Sequence, residues 1–147
     1  FKRLVQAFNN LIGNAVKYTP DQGQIHVSAK VDESTADEGK YVELVVSDTG
    51  IGIDPKYQEL IFEKFFRIGD PQLHSTGSTK FKGAGPGLGL PIAKGVIEAH
   101  DGQILVESEG IAGKGTMFTF VLPLDPSDGD LTDPTRQTQS FDVTLSA

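Results

Sequence analysis

The sequence predicts an α+β fold: a two-layer sandwich in which about three helices cover one face of a mixed, mostly antiparallel sheet. Apolar residues recur at helical spacing in segments well separated along the chain, and they alternate at strand spacing between those segments. The strands also come as adjacent pairs suited to hairpins, so helices and strands segregate into two layers.

Phe1, Leu4, Val5, Phe8, Leu11, Ile12, Ala15 and Val16 step by three and four, which predicts an amphipathic helix over residues 1–18 that Thr19-Pro20-Asp21 stops. Ile25, Val27, Ala29 and Val31 alternate with polar residues as a half-buried strand, and Tyr41 to Val46 give a second, more apolar one. Pro55 to Phe66 is expected to form a short helix, with Asp54 as cap and Pro55 in the first turn. Residues 67–87 are dominated by Gly, Ser, Thr, Pro and Lys, without apolar periodicity; a loop of this length is expected to be functional or mobile. Helical spacing returns from Leu88 to His100 and ends at Asp101-Gly102. Gln103 to Glu109 and Thr116 to Leu122 read as a second hairpin around Gly110, Gly113 and Gly115. Residues 1–123 thus form one domain, and residues 124–147, rich in Asp, Thr, Pro and Ser, read as an acidic disordered tail.

The 147 residues suffice for one core and carry a net charge of −7. Asp125, Asp128, Asp130, Asp133 and Asp142 in the tail, and Asp32, Glu33, Asp37 and Glu38 in a loop, account for that acidity; with residues 124–147 and 32–38 set aside the remainder is +1. The acidity argues against a nucleic-acid partner, while the body remains free to bind an anion. The absence of cysteine excludes disulfides, thiol nucleophiles and Cys-ligated metals. No apolar run approaches the ~18 residues of a membrane span. Phe1-Lys2-Arg3-Leu4 is neither a signal peptide nor an initiator methionine, so the sequence reads as a piece of something longer.

Three segments could carry chemistry. On the first helix Asn10, Asn14 and Lys17 cluster on one side, opposite the apolar stripe. An amide oxygen can ligate Mg²⁺ while the metal keeps waters and phosphate oxygens; the plainer alternative is a solvated helix face. The strand Val42 to Val46 runs into Ser47-Asp48-Thr49-Gly50-Ile51-Gly52-Ile53. A carboxylate there can accept a hydrogen bond from the amine of adenine while the glycines let a flat ring approach, or Asp and Gly can serve turn geometry alone. Lys82-Gly83-Ala84-Gly85-Pro86-Gly87-Leu88-Gly89-Leu90 leads into a helix and could cradle phosphate, although its spacing is neither that of a P-loop nor that of a dinucleotide fold. Phe62, Phe65 and Phe66 are expected in the core or at the loop's anchor, with Arg67 a candidate phosphate contact. His26, His74 and His100 share no metal-like spacing.

In order, Asn10-x-x-x-Asn14-Ala15-x-Lys17-Tyr18-Thr19, Asp48-x-Gly50-x-Gly52, Phe62-x-x-Phe65-x-Arg67, Gly85-x-Gly87-Leu88-Gly89-Leu90 and Gly115-Thr116-x-Phe118 resemble the N box, the first glycine box, the F box, the second glycine box and the final glycine motif of sensor histidine kinases. The match covers residues 1–123 and implies their catalytic ATP-binding domain, a Bergerat (GHKL) sandwich with a flexible ATP lid, entered within its first helix. The resemblance implies Asn14 as the Mg²⁺ ligand, Asn10 as its helper, and Lys17 and Tyr18 near the phosphates. Asp48 would meet the adenine amine, with Gly50, Gly52, Ile53 and Thr116 lining the nucleotide site. Gly85, Gly87, Leu88 and Gly89 would close on the triphosphate, and residues 67–86 would form the lid, with Arg67, Lys80 and Lys82 available to phosphate oxygens. Ala84 and Pro86 depart from the usual pattern and should restrict lid motion.

The resemblance further implies transfer of the γ-phosphoryl group of Mg-ATP to a histidine on dimerisation helices of the same homodimeric kinase, with a response regulator downstream. It places the domain on the cytoplasmic side, any membrane anchor belonging to the rest of the parent protein. ATP-hydrolysing relatives carry Glu in place of Asn10; an amide is no general base, so hydrolysis should be slow. None of the three histidines lies in a His-Glu-x-x-x-Pro-like acceptor setting, so the fragment should bind nucleotide without phosphorylating itself. The alternatives are a nucleotide-binding regulatory module without transfer, a GHKL ATPase and a serine kinase with the same pocket.

Overall fold

The computed structural model describes residues 2–32, 40–68, 87–124 and 141–146. Helix α1 spans Lys2–Tyr18, strands β1 and β2 span Gln24–Asp32 and Tyr41–Asp48, and two short 3₁₀ turns occupy Pro55–Tyr57 and Leu60–Phe62. Helix α2 (Gly89–Glu98) is followed by β3 (Gln103–Glu107), β4 (Met117–Pro123) and β5 (Phe141–Ser146). The sheet order is β3-β4-β2-β1-β5, and every pairing is antiparallel.

Strand alternation decides what the helices cover. Ile25 of β1 and Val46 of β2 point inward with Ile104 of β3 and Phe118 and Phe120 of β4, and all five are buried. Helix α1 meets that face with Ala7, Leu11 and Ala15, one row at four-residue steps, and α2 adds Ala93, Val96 and Ile97. Each large side chain removed from water there contributes about 1.5–3 kcal/mol. The small alanines let α1 lie close against α2. The expected stripe on α1 was wider than the one used: Val5 and Val16 are 41% and 58% exposed, because the helix touches the core along one row and its flank turns outward.

The segment expected as one short helix is instead the pair of 3₁₀ turns. Asp54 does cap it, accepting from the Lys56 N–H at 3.1 Å, with Pro55 directly after. The chain then closes i to i+3, with Tyr57 N–H on the Asp54 carbonyl at 2.8 Å and Glu63 N–H on the Leu60 carbonyl at 2.9 Å. Two neighbouring demands interrupt helix growth: Gln58 reaches back to carbonyls outside the segment, and Ile61 must enter the core.

The reading of residues 124–147 as a disordered tail is corrected at its end. Residues 141–146 pair with β1 from Ala29↔Phe141 to Gln24↔Ser146. Phe141, Val143 and Leu145 alternate with polar residues, a strand pattern that the acidic composition upstream obscured. The strand is exposed throughout, so it extends the sheet without enlarging the core. Residues 125–140 lie outside the described residues, as does most of the expected lid (69–86).

Candidate functional site

The end of β2 is where the sheet meets two loops. Asp48 pairs with Ile25 and so points to the helix side of the sheet. Its Oδ1 accepts from the Gly50 N–H at 2.8 Å and from the Thr116 N–H at 3.3 Å. No partner for Oδ2 occurs among the described residues. Burial pushes the Asp48 carboxyl above its ordinary value, and the N–H bonds from Gly50 and Thr116 pull the other way. The turn geometry uses one oxygen only: Oδ1 holds the backbone, and Oδ2 keeps its capacity to accept a hydrogen bond.

Glycines make this approach possible. A Cβ on Gly50 would collide with the Tyr18 carbonyl and come within 2.8 Å of Asp48 Oδ1, which locks the turn against the end of α1. Ile51 N–H also donates to the Tyr18 carbonyl at 3.2 Å, so the loop after β2 and the last turn of α1 form one wall. Gly115, at φ +70°, packs against the Asp48 carbonyl so closely that any side chain there would collide with it. Gly52 lies against Ile111 and Gly110, and Ile53 packs on the core edge. Thr116 is buried and brackets Asp48, its carbonyl accepting the Asp48 N–H at 2.9 Å.

On α1, Asn10, Asn14 and Lys17 are half-buried. They do not lie opposite the apolar row; a three-residue step from Ala7 to Asn10, or from Leu11 to Asn14, turns about 60° from it, so the amides border the core beside α2. Asn10 Nδ2 donates to the Gly89 carbonyl at 3.0 Å, tying the amide row to the first turn of α2. That helix begins at Leu88 without a side-chain cap, so its first N–H groups carry no side-chain oxygen. Gly87 sits on the aromatic segment, its carbonyl accepting the Phe65 N–H at 3.1 Å. Lys17 Nζ stands 4.8 Å from the Tyr18 ring centroid, on the same side of the helix end.

The structure thus brings Asn10, Asn14, Lys17, Tyr18, Asp48, Gly50, Gly52, Ile53, Gly87, Leu88, Gly89 and Thr116 to one end of the sandwich through α1, the loop after β2, the start of α2 and the β3–β4 turn. Arg67 is exposed beyond the aromatics, and Lys80, Lys82 and Gly85 lie outside the described residues. Phe62 and Phe66 belong to the core rim, Phe62 meeting Phe118 edge-on at 6.5 Å, whereas Phe65 is 70% exposed. His26 bonds Thr144 and Asp142 on β5, and His100 bonds the Val96 carbonyl; His74 is outside the described residues. No metal-holding group of His, Cys, Asp or Glu occurs among the described residues. A depression on the outer sheet face, between His26, Lys30, Glu43 and Thr119, contains none of the candidate nucleotide-site residues. The motifs passed over Ser108 and Gln58, which bind the loops from behind; the only signal in the sequence was a serine two residues before Gly110 in a glycine-rich turn.

Helices on one face of an antiparallel sheet, an amide row on the first helix and an Asp-x-Gly-x-Gly turn packed against its end define the GHKL class of α+β domains. Residues 1–126 match the family model "Histidine kinase-, DNA gyrase B-, and HSP90-like ATPase", and the chain belongs to that family. It is 38% identical over 128 residues to the sensor histidine kinase WalK of Bacillus subtilis (strain 168), covering 87% of this chain and 19% of WalK. Among solved structures it resembles the mycobacterial sensor histidine kinase MprB, with TM-score 0.60 and 33% identity over 80% of this chain and 68% of that one. It also resembles full-length ShkA in complex with AMPPNP, with TM-score 0.58 and 34% identity over 82% of this chain and 21% of ShkA. The chain therefore spans about a fifth of the length of such curated relatives. No helix among the described residues is long and apolar enough to cross a membrane.

Proposed function

We infer that the chain binds Mg-ATP and donates its γ-phosphoryl group to a histidine of a dimerisation and phosphoacceptor segment, in two-component signalling on the cytoplasmic side. The observation that carries this reading is the half-buried Asp48 carboxylate, with one oxygen spent on Gly50 and Thr116 and the other open, at the end of an amide-lined helix. The AMPPNP complex of ShkA supports nucleotide as the ligand class.

Each group has a task. Asp48 accepts from the exocyclic amine of adenine, while Gly50, Gly52, Ile53 and Thr116 shape the space for the ring. Asn14 holds Mg²⁺ through its amide oxygen, and the ion supplies charge neutralisation at the phosphate oxygens. The donor set fits: a neutral amide would leave the ion free for phosphate ligands, and Asn14 is half-buried one turn beyond Asn10, whose amide meets the first turn of α2. Asn10 positions rather than reacts, because its amide nitrogen is committed to the Gly89 carbonyl and its oxygen is too weak a base to activate water. Lys17 and Tyr18 would complete the phosphate surroundings with Gly87, Leu88 and Gly89, and the family motifs would add Arg67, Lys82 and Gly85. An acceptor imidazole carries its own lone pair, so positioning and charge stabilisation suffice for transfer. The homodimeric parent kinase would supply the acceptor helices, and a response regulator would receive the group next.

The test is to mix the chain with the phosphoacceptor helices of its own parent and γ-labelled ATP. Acid-labile, base-stable label on histidine is expected, with none on this chain alone. Rapid ATP turnover without transfer would favour an ATPase, and nucleotide binding with neither would favour a regulatory module.

A further inference from the structure

Ser108 follows β3 and lies outside every motif from which the site was read. Its hydroxyl donates to the Gly115 carbonyl at 2.6 Å and accepts from the Ile53 N–H at 2.9 Å and the Gly110 N–H at 3.2 Å. One proton and two lone pairs are then fully used. The Gly115 carbonyl and the Thr116 N–H are opposite ends of one planar peptide, so a bond to the carbonyl fixes where the N–H points. That N–H is the one on Asp48 Oδ1, and its 3.3 Å length puts it at the weak end of the range, where a small rotation of the peptide breaks it. The bond to Ile53 N–H fixes a second peptide, the one joining Gly52 to Ile53. From behind, Gln58 Nε2 donates to the Ser108 carbonyl at 2.8 Å and to the Ile53 carbonyl at 3.3 Å, so serine and glutamine clamp both loops together.

We propose that Ser108 is a positioning residue for base selection: it orients the Gly115–Thr116 peptide and the Ile53 peptide so that Asp48 presents its free oxygen to a 6-amino purine. This rests on the reading of Asp48 as the acceptor for adenine. Ser108 touches no nucleotide atom in this account; it acts through two backbone units. Loss of its hydroxyl should therefore erode discrimination at the purine 6-position more than it erodes binding of the triphosphate.

The test is calorimetric titration of the chain with Mg-ATP and with Mg-purine riboside triphosphate, which lacks the exocyclic amine. Ser108→Ala should raise the Kd for ATP about tenfold and that for the analogue less than about twofold, and Ser108→Thr, which keeps a hydroxyl, should restore the preference. Gln58→Ala should act in the same sense, about threefold. Ser108→Cys, similar in size with a weak donor, serves if the alanine variant does not fold. Equal weakening of both nucleotides, or unchanged discrimination in Ser108→Ala or Ser108→Cys, would overturn the proposal while leaving the adenine reading intact. If the unmutated chain binds both nucleotides equally, the adenine reading fails first and takes this role with it.

Discussion

The Asp48 end and the α2 end of the candidate site are built differently. Around Asp48, the Gly50 and Thr116 N–H groups bond the carboxylate, the Ile53 N–H and the Gly115 carbonyl bond the Ser108 hydroxyl, and the Tyr18 carbonyl accepts from the Ile51 N–H. At the start of α2, Asn10 to Gly89 is the side-chain bond that joins the helices there among the described residues, and the chain before Gly87 lies outside them. One end is fixed before ligand arrives; the other gathers donors on glycine-rich backbone. Under the proposed function, the base would be selected at the Asp48 end and the phosphoryl group handled at the other.

Adding a side chain to the rigid end should do the most damage. Gly115→Ala places a Cβ against the Asp48 carbonyl at a positive φ, and a loss of about 3 kcal/mol or more, seen as a fall in Tm of roughly 10 °C, is expected. A variant with unchanged Tm would mean that the corner is soft. Next in size, Asp48→Asn should weaken Mg-ATP binding about 10- to 100-fold, read by calorimetry, because the carboxamide can turn a donor toward the adenine amine.

Protonation probes the same corner without changing its shape. The folded-state pKa of Asp48 is raised, so its ionised form costs stability at neutral pH, and that cost is relieved as pH falls through the raised value toward the ordinary 3.8. Asp48→Asn should therefore raise the Tm at pH 7, and the gain should shrink on that descent. ATP affinity of the unmutated chain should drop over the same window, since a neutral carboxyl is a poorer acceptor. A Tm difference independent of pH would contradict the burial argument.

Smaller effects are expected at the other end and smallest at the sheet edge. Asn10→Ala removes the bond to Gly89 and should cost about 1 kcal/mol of stability, with a larger fractional loss of phosphoryl transfer than of ATP binding. Asp142→Asn breaks the exposed His26–Asp142 pair, and a change in Tm within about 1 °C is expected, since such surface pairs contribute little.

Much of this was legible in residue order, for reasons that differ by element. Strand alternation at Ile25 to Val31 marks the strand, and from Met117 onward it also reports burial, with Phe118 and Phe120 inward, so those strands could be placed. Amphipathy on α1 reports which side is apolar but not how much of it the sheet accepts; hence Val5 and Val16 emerge on the flank and the amides beside the core rather than across from it. The 3₁₀ turns were hidden because Asp54-Pro55 signals a helix start while nothing local announces that Gln58 will bond elsewhere. For β5, the Asp-rich stretch before it outweighed an alternation of only six residues. Asp48 and its glycines announce themselves through unusual residue types at fixed spacing, whereas Ser108 acts through backbone carbonyls and amides, which leave no trace in the identities of their residues.

The most direct measurement is calorimetric titration of the chain with Mg-ATP and Mg-GTP at neutral pH, with Asp48→Asn in parallel. Selective adenine binding that the substitution abolishes is the result this account predicts. Equal affinity for the two nucleotides, or selectivity that survives Asp48→Asn, would contradict it.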